Sequence, residues 1–342
     1  MRAVVFDRFG GPEVLVEREV PDPSPGLGEL VIAVRACGIN HLDLWVRGGL
    51  PGLDPVMPHI LGCDVVGKIA ALGEGVAGHS VGDRVWVHPT MSCGVCEACM
   101  AGDDHLCRLY DVLGRRRNGG YAERVAIPAG NALPFPTNLS WTEAAAMPLV
   151  FLTAWHMLVT RARLREGEAC LVIGAGSGVG SAAIQVAKHL GARVIATAGS
   201  ADKLERAMRL GADATIDHAT QDIAAEARAL TGGRGVGVVF EHVGGRVFEA
   251  GVAALARDGR LVTCGATGGN RVSLDINLLF GRHLALYGSW MGSRSESLAV
   301  LEWVRAGTFR PVIDSVLPLA EARKAHERIE ARKHFGKIVL TP

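Results

Sequence analysis

The rhythm of apolar and polar positions changes twice along the chain. Up to about residue 132, short segments at 3–6, 30–37, 65–72 and 84–88 are continuously apolar or alternate with polar residues, bounded by Gly, Pro and Asp. That is the pattern of β-strands joined by tight turns, with no strand-helix repeat. Near Asn138 the texture shifts: Ser140 followed by Glu143 is a capping-box signature ahead of a helix-forming run. From Ala169 the order becomes strand, glycine turn, helix, strand, in ACLVIG, GSGVGSAAIQVAKHLG and ARVIATAG. A helix over 202–210 capped by Ser200 follows, and further strands are predicted at 214–217, 236–241, 259–265 and 284–288. Strands alternating with helices imply a parallel, doubly wound sheet. After about residue 290 the pattern is mixed again and closes on an apolar strand, GKIVL.

The expected fold is therefore α/β: a β-rich domain over 1–132 and 290–342, interrupted by a coenzyme-type domain over 133–289. A length of 342 residues agrees, because single hydrophobic cores stop growing below that size. With 49% hydrophobic and 21% charged residues, the composition is that of an ordinary globular protein. A formal net charge of +1 provides no field for nucleic acid or an anionic membrane, and the run Arg115, Arg116, Arg117 reads as a solvated loop. The longest apolar stretch, 144–152, contains Pro148 and is far shorter than the roughly 20 residues that span a bilayer. The N-terminal apolar run is too short for a signal peptide, so the cytoplasm is the expected location.

Four of the eight cysteines fall within fifteen residues, as Cys93, Cys96, Cys99 and Cys107. Thiolates at spacings of two, two and seven residues can close around one Zn²⁺ at about 2.3 Å each, a closed structural site. A reducing compartment argues against disulfides. Cys170 and Cys264, in predicted core strands, are expected to be inert. In the second candidate site, Gly174, Gly176, Ser177, Gly178, Val179 and Gly180 lie between an apolar strand and a helix. Small residues there let the backbone approach a pyrophosphate, which the helix N-terminus holds with its N–H groups. Strict G-x-G-x-x-G spacing fails at Val179, but the flanking strand, helix and strand support dinucleotide binding. The next strand ends Thr197, Ala198, Gly199, Ser200, Ala201, Asp202, Lys203. No carboxylate stands at the tip to accept from a ribose 2′-OH, whereas Ser200 and Lys203 suit a 2′-phosphate, so NADP(H) is favoured over NAD(H).

The segments CGINHLDLWVRGG, PHILGCDVVGKI, VGDRVWV, the cysteine lobe, GGYAER, GAGSGVGSAAIQ, VVFEHVGG and FGKIVL together resemble the medium-chain dehydrogenase/reductase superfamily, which includes zinc alcohol dehydrogenases and quinone oxidoreductases. The resemblance covers essentially the whole chain. It implies a GroES-like catalytic domain, a Rossmann coenzyme domain, an active site in the cleft between them, and a homodimer or homotetramer formed through the coenzyme domain. It further implies that Thr153 touches the nicotinamide and that Val243, Gly265, Ala266, Ser289 and Trp290 line it. Ser200 and Lys203 would meet the adenosine ribose, and His41 and Lys337 the pyrophosphate.

The chain departs from the alcohol dehydrogenases at their catalytic zinc. The three ligand positions correspond here to Asn40, Cys63 and Leu149, and the proton-relay hydroxyl to Leu42. Leucine cannot ligate and asparagine is a poor zinc ligand. Asn40 and Asp43 instead match the quinone oxidoreductase branch, with Trp45 where that branch often has Tyr. The catalytic candidates are Asn40, His41 and Asp64, with the Asn40 amide as donor to a developing enolate oxygen. A rebuilt metal site among Cys37, His59, Cys63 and Asp64 is the competing reading. The expected activity is hydride transfer from NADPH to a quinone or activated alkene as small-molecule substrate. The alternatives are an alcohol dehydrogenase with an atypical catalytic metal and a non-catalytic NADPH-binding protein.

Overall fold

The computed structural model describes residues 1–342, which form two units, Met1–Leu149 with Ser293–Pro342 and Val150–Gly292. In the first, Glu29–Gly38 pairs antiparallel with Asp64–Leu72 at the centre of a seven-stranded sheet. Most side chains on both strands are buried, which is why they read as apolar runs instead of clean alternation. A β-carbon at Gly67 would lie 2.2 Å from the Ala33 carbonyl oxygen, so only glycine permits this close approach of strands. The closing strand Lys337–Thr341 pairs antiparallel with Glu29–Gly38 and parallel with Ile313–Pro318. Thus residues from the two ends of the chain share one sheet. A smaller sheet joins Val16–Glu19, Arg2–Phe6 and His59–Ile60.

The observed division differs from the expected one. Residues 133–149 belong to the first unit, because helix Trp141–Ala145 is pinned there: the Trp86 indole donates to the Ala144 carbonyl at 2.9 Å. Its capping box forms as the sequence predicts, with the Ser140 hydroxyl accepting from the Glu143 N–H. The mixed C-terminal texture resolves into helix Arg294–Arg305, strand Ile313–Pro318 and helix Ala322–Glu330. Helix His41–Gly48, which the glycine-flanked sequence did not announce, begins at Asn40, whose own N–H donates to Asp43 Oδ2 at 2.7 Å.

The second unit is a six-stranded, wholly parallel sheet in the order Ala214–Asp217, Arg193–Ala198, Ala169–Val172, Val236–Glu241, Leu255–Thr263, Ala285–Gly288. Leu171, Ile195, Val239 and Leu261 form its core, and helices connect the strands. Leu255–Thr263 starts earlier than expected because pairing with Val236–Glu241 continues across a register shift, despite a left-handed Asp258 (φ 60°). The sheet is of the Rossmann type, and its first strand and helix create the glycine turn at the point where strand order reverses.

Candidate active site, dinucleotide cradle and metal lobe

At the glycine turn, the Ser177 hydroxyl caps helix Gly178–His189 by accepting from Gly180 N at 2.8 Å and donates to the Gly174 carbonyl at 2.9 Å. A β-carbon at Gly180 would lie 2.3 Å from that carbonyl oxygen. The turn is therefore a cradle that small residues keep open, with Gly176 buried beneath it and Val179 in the helix's first turn. At the tip of Arg193–Ala198, Thr197 is buried and its hydroxyl lies 3.1 Å from His218 Nδ1. A β-carbon at Gly199 would come within 3.0 Å of His218 Nε2. The imidazole thus stands beside the loop carrying Ser200 and Lys203, a neighbour that linear spacing did not reveal because it arrives in the turn that follows the adjacent strand Ala214–Asp217.

A second group of loops surrounds the end of Val236–Glu241. The buried Glu241 carboxylate accepts from the N–H groups of Val243 and Gly244 and, at 2.6 Å, from the Thr263 hydroxyl. Gly268 N then donates to the Val243 carbonyl at 2.6 Å, and a β-carbon at Gly265 would meet the His242 carbonyl at the same distance. Glu241 shapes this lining, although its sequence signal was only a carboxylate ending an apolar strand. Ala266 belongs to the same loop, accepting from Gly269 N. Ser289 N donates to the Thr263 carbonyl at 2.9 Å, while the Ser289 hydroxyl is buried without a hydrogen-bond partner. Buried polar atoms are rarely left so. Together with the cradle, this orphan oxygen fits a bound dinucleotide. Thr153 is buried, with its hydroxyl 3.8 Å from the Met291 sulfur, and Trp290 is half exposed. His242 lies 3.1 Å from the Ser177 hydroxyl, and burial lowers its pKa to about 4, so it is neutral near pH 7.

In the first unit, a compact polar cluster occupies the positions that correspond to the alcohol dehydrogenases' catalytic metal ligands. Lys337 Nζ donates to the Ile39 carbonyl at 2.6 Å, to Asp64 Oδ2 at 2.8 Å and to Asn40 Oδ1. Asn40 Nδ2 donates to Asp64 Oδ2 at 2.9 Å and to Cys63 Sγ at 3.4 Å. Asp64 Oδ1 accepts from Leu149 N at 2.8 Å. Asn40, Cys63, Asp64 and Lys337 are all buried.

Two expectations change here. Both Nδ2 hydrogens of Asn40 are spent inside the cluster, so its amide does not offer a donor to an enolate oxygen. All three ammonium hydrogens of Lys337 are spent as well, so it is an internal counterion to Asp64 and does not reach for a pyrophosphate. A catalytic metal does not fit this donor set: the Asn40 oxygen is held by Lys337, burial pushes the Cys63 thiol well above its usual pKa, and residue 149 contributes only a main-chain N–H. His59 is not part of any such site; it is buried against the Phe6 ring, with Nε2 bonded to the Gly114 carbonyl at 3.0 Å. His41, at the first turn of its helix, packs edge-on to the Trp45 ring.

The lobe is different. The sulfurs of Cys93, Cys96, Cys99 and Cys107 all lie within 4.8 Å of one another, and no cysteine of the chain forms a disulfide. Main-chain N–H groups of Cys96, Cys93 and Leu109 point at the sulfurs of Cys93 and Cys107 at 3.3–3.4 Å. Such N–H groups favour the thiolate, and the Cys93 pKa falls to about 6 mainly through those from Val95 and Cys96. Four convergent sulfurs with amide support fit a tetrahedral, closed zinc site, and these four residues would hold the ion.

Comparison with known proteins agrees with the two-unit fold. Residues 26–137 match the alcohol dehydrogenase GroES-like domain and residues 178–306 the zinc-binding dehydrogenase domain. Over 99% of both chains, this sequence is 33% identical to an NAD-dependent alcohol dehydrogenase of Sulfolobus acidocaldarius. The chain belongs to the medium-chain dehydrogenase/reductase superfamily. A quinone oxidoreductase of Rattus norvegicus is 30% identical over 99% of this chain and 97% of its own length. Among solved structures, one described as an NAD-dependent alcohol dehydrogenase superposes with a TM-score of 0.97 at 47% identity, covering both chains completely. A crotonyl-CoA carboxylase/reductase in complex with NADP gives 0.93 at 25% identity, covering 100% of this chain and 94% of that one. As a member of this superfamily the protein is an NAD(P)-dependent oxidoreductase, and no helix in it is long and apolar enough to cross a membrane.

Proposed function

We propose that this medium-chain oxidoreductase is an NADPH-dependent reductase of quinones or activated alkenes that carries one structural zinc and no catalytic zinc. The observation that carries the reading is the cluster itself. At the three positions that the resemblance assigns to the catalytic zinc of the zinc alcohol dehydrogenases, Asn40 is locked to Lys337 and Asp64, Cys63 accepts from Asn40, and Leu149 offers no ligand side chain. Without Lewis-acid polarisation, oxidation of an unactivated alcohol loses its main driving interaction. When bound, NADPH would provide the hydride equivalent for a quinone or α,β-unsaturated carbonyl, whose electrophilic carbon would take it up, with water as the source of the balancing proton.

The chain's contribution is binding and orientation. Ser177, Gly178 and Gly180 present the helix N-terminus to the pyrophosphate, Ser289 and the loop held by Glu241 orient the nicotinamide, and Ser200, Lys203 and His218 recognise the 2′-phosphate. Preference for NADP(H) rests on the absence of a carboxylate at the Thr197 strand tip and on this hydroxyl, amine and imidazole set. The strand Ala285–Gly288 is the unpaired edge of its sheet, and nearby Ile276 and Phe280 are exposed, which supports a homo-oligomer formed along that edge.

The reading is tested by counting zinc per chain in the purified protein and by following NADPH and NADH oxidation with a panel of quinones and enals. One zinc per chain and faster turnover with NADPH are expected. Two zincs together with alcohol-dependent reduction of NAD⁺ would instead establish an alcohol dehydrogenase, the activity for which its Sulfolobus relative is named.

A further inference from the structure

Beneath the Asn40 cluster runs a second set of buried groups that neither hydride transfer nor metal binding uses. Arg47 Nη1 lies 2.9 Å from His326 Nδ1; His326 Nε2 lies 3.2 Å from the Tyr121 hydroxyl; and that hydroxyl lies 3.1 Å from Asp43 Oδ2. Asp43, Arg47, Tyr121 and His326 are each no more than 3% exposed. Arg47 also donates to the Gly10 carbonyl and pairs with Glu330.

The direction of this chain follows from the chemistry of its ends. A guanidinium can only donate, so His326 Nδ1 accepts and its proton resides on Nε2. That proton is donated to the Tyr121 oxygen, which leaves the phenolic proton for Asp43 Oδ2. Burial and the nearby Arg47 charge lower the His326 pKa to about 3, so this neutral tautomer persists across the working pH range. Every donor therefore points toward one carboxylate. Asp43 passes the constraint on: its Oδ2 also accepts from Asn40 N at 2.7 Å, and its Oδ1 from Gly62 N at 3.1 Å. Those two amides begin the segments that carry Asn40 and Cys63.

We propose that Tyr121 is a positioning residue for the substrate end of the enzyme. Its hydroxyl, oriented by His326 and Arg47, fixes the Asp43 carboxylate as the common anchor of the Asn40 and Cys63 segments. The groups facing Asp43 are Tyr121 and Lys337, which favour its anion, and Asp64, Cys37 and Cys63, whose anions oppose it. Burial prevails and raises the Asp43 carboxyl to about pH 6. Removing the phenolic donor raises it further and releases one of three bonds on the anchor.

The kinetic part of the test rests on the proposed reductase reading, and the spectroscopic part does not. In Tyr121→Phe, kcat with a quinone or enal should fall about tenfold while KM for NADPH, which the other unit binds, stays within twofold. The acidic limb of the kcat profile should move to higher pH. His326→Gln retains an acceptor for Arg47 and a donor for Tyr121, so it should preserve most activity, whereas His326→Leu should match Tyr121→Phe. The double variant Tyr121→Phe/His326→Leu should be no worse than either alone, because the two residues act in series. Independently of any substrate, difference infrared spectroscopy of wild type and Asp43→Asn should locate the Asp43 carboxyl titration, and Tyr121→Phe should shift it upward. A folded Tyr121→Phe with unchanged kcat, or with an unmoved Asp43 titration, overturns the assignment. So does a His326→Gln protein as impaired as His326→Leu. If wild type shows no reductase turnover, the functional reading fails and the infrared comparison alone decides the role of Tyr121.

Discussion

At the scale of single residues, Lys337 and Asp64 carry the most weight. Asp64 has no exposed side-chain surface and Lys337 has 3%, so each is the other's only charged hydrogen-bonding partner. Replacing one member of a buried pair strands the other, at a typical cost of about 3–5 kcal/mol. Lys337→Met should therefore lose about that much stability in urea unfolding, with Lys337→Arg losing much less; a loss below about 1 kcal/mol in the Met variant would show that water reaches Asp64. The identity of these residues was readable, since Asn40, Cys63, Asp64 and Lys337 all lie in motifs that stand out in the chain. Their bonding was not. Which hydrogens of Asn40 and Lys337 remain for a ligand depends on contacts between residues up to 297 positions apart, and spacing carries no such information. His218, Tyr121 and His326 escaped notice for the same reason, because an isolated His or Tyr has no periodic signature.

At the scale of elements, structure was legible in the sequence wherever one physical pattern dominated. The buried strands Glu29–Gly38 and Val236–Glu241, the capped helix at Ser140 and the glycine turn were legible from apolar runs, a capping box and small residues. Tertiary pairing overrode local cues at Asp258 within Leu255–Thr263 and in helix His41–Gly48, whose start is fixed by Asp43. The cysteine lobe is an element of the legible kind. Its helix, Glu97–Met100, is a single turn, and Val95, Met100, Leu106 and Leu109 are exposed, so the metal and not a hydrophobic core must hold it. Cys96→Ser should release the zinc in a chelator competition and lower the melting temperature by several degrees, while turnover per folded molecule stays within about twofold. Loss of turnover without loss of zinc or melting temperature would contradict a structural role.

At the scale of the whole molecule, buried imidazoles set the acid limit. Burial lowers the pKa of His88 and His326 to about 3 and of His242 to about 4, and depresses His59 as well. In the unfolded chain these groups titrate near 6.5. Between those values the unfolded state binds more protons, so stability is complete above about pH 6.5 and is lost as pH falls toward 4. Asp43 and Asp104 act in the opposite sense: burial raises both carboxyls, Asp43 to about 6, so the native state takes up protons as pH falls, which offsets part of the loss. Four imidazoles outweigh two carboxyls, and the melting temperature should decline steadily from pH 6.5 to 4.5. A flat profile would mean that these histidines are already protonated in the native protein.

The pairing of Asp64 with Lys337 also has a temporal side. The two residues are separated by 273 positions, and all of the second unit is encoded between them. At a synthesis rate of about 5–20 residues per second, the carboxylate waits about 14–55 s for its ammonium to emerge. During that interval the parallel sheet can fold to completion, while the first unit stays open around an unpaired acid. Nascent chains should therefore acquire protease resistance in the middle of the sequence before its beginning, an order reversed from that of translation.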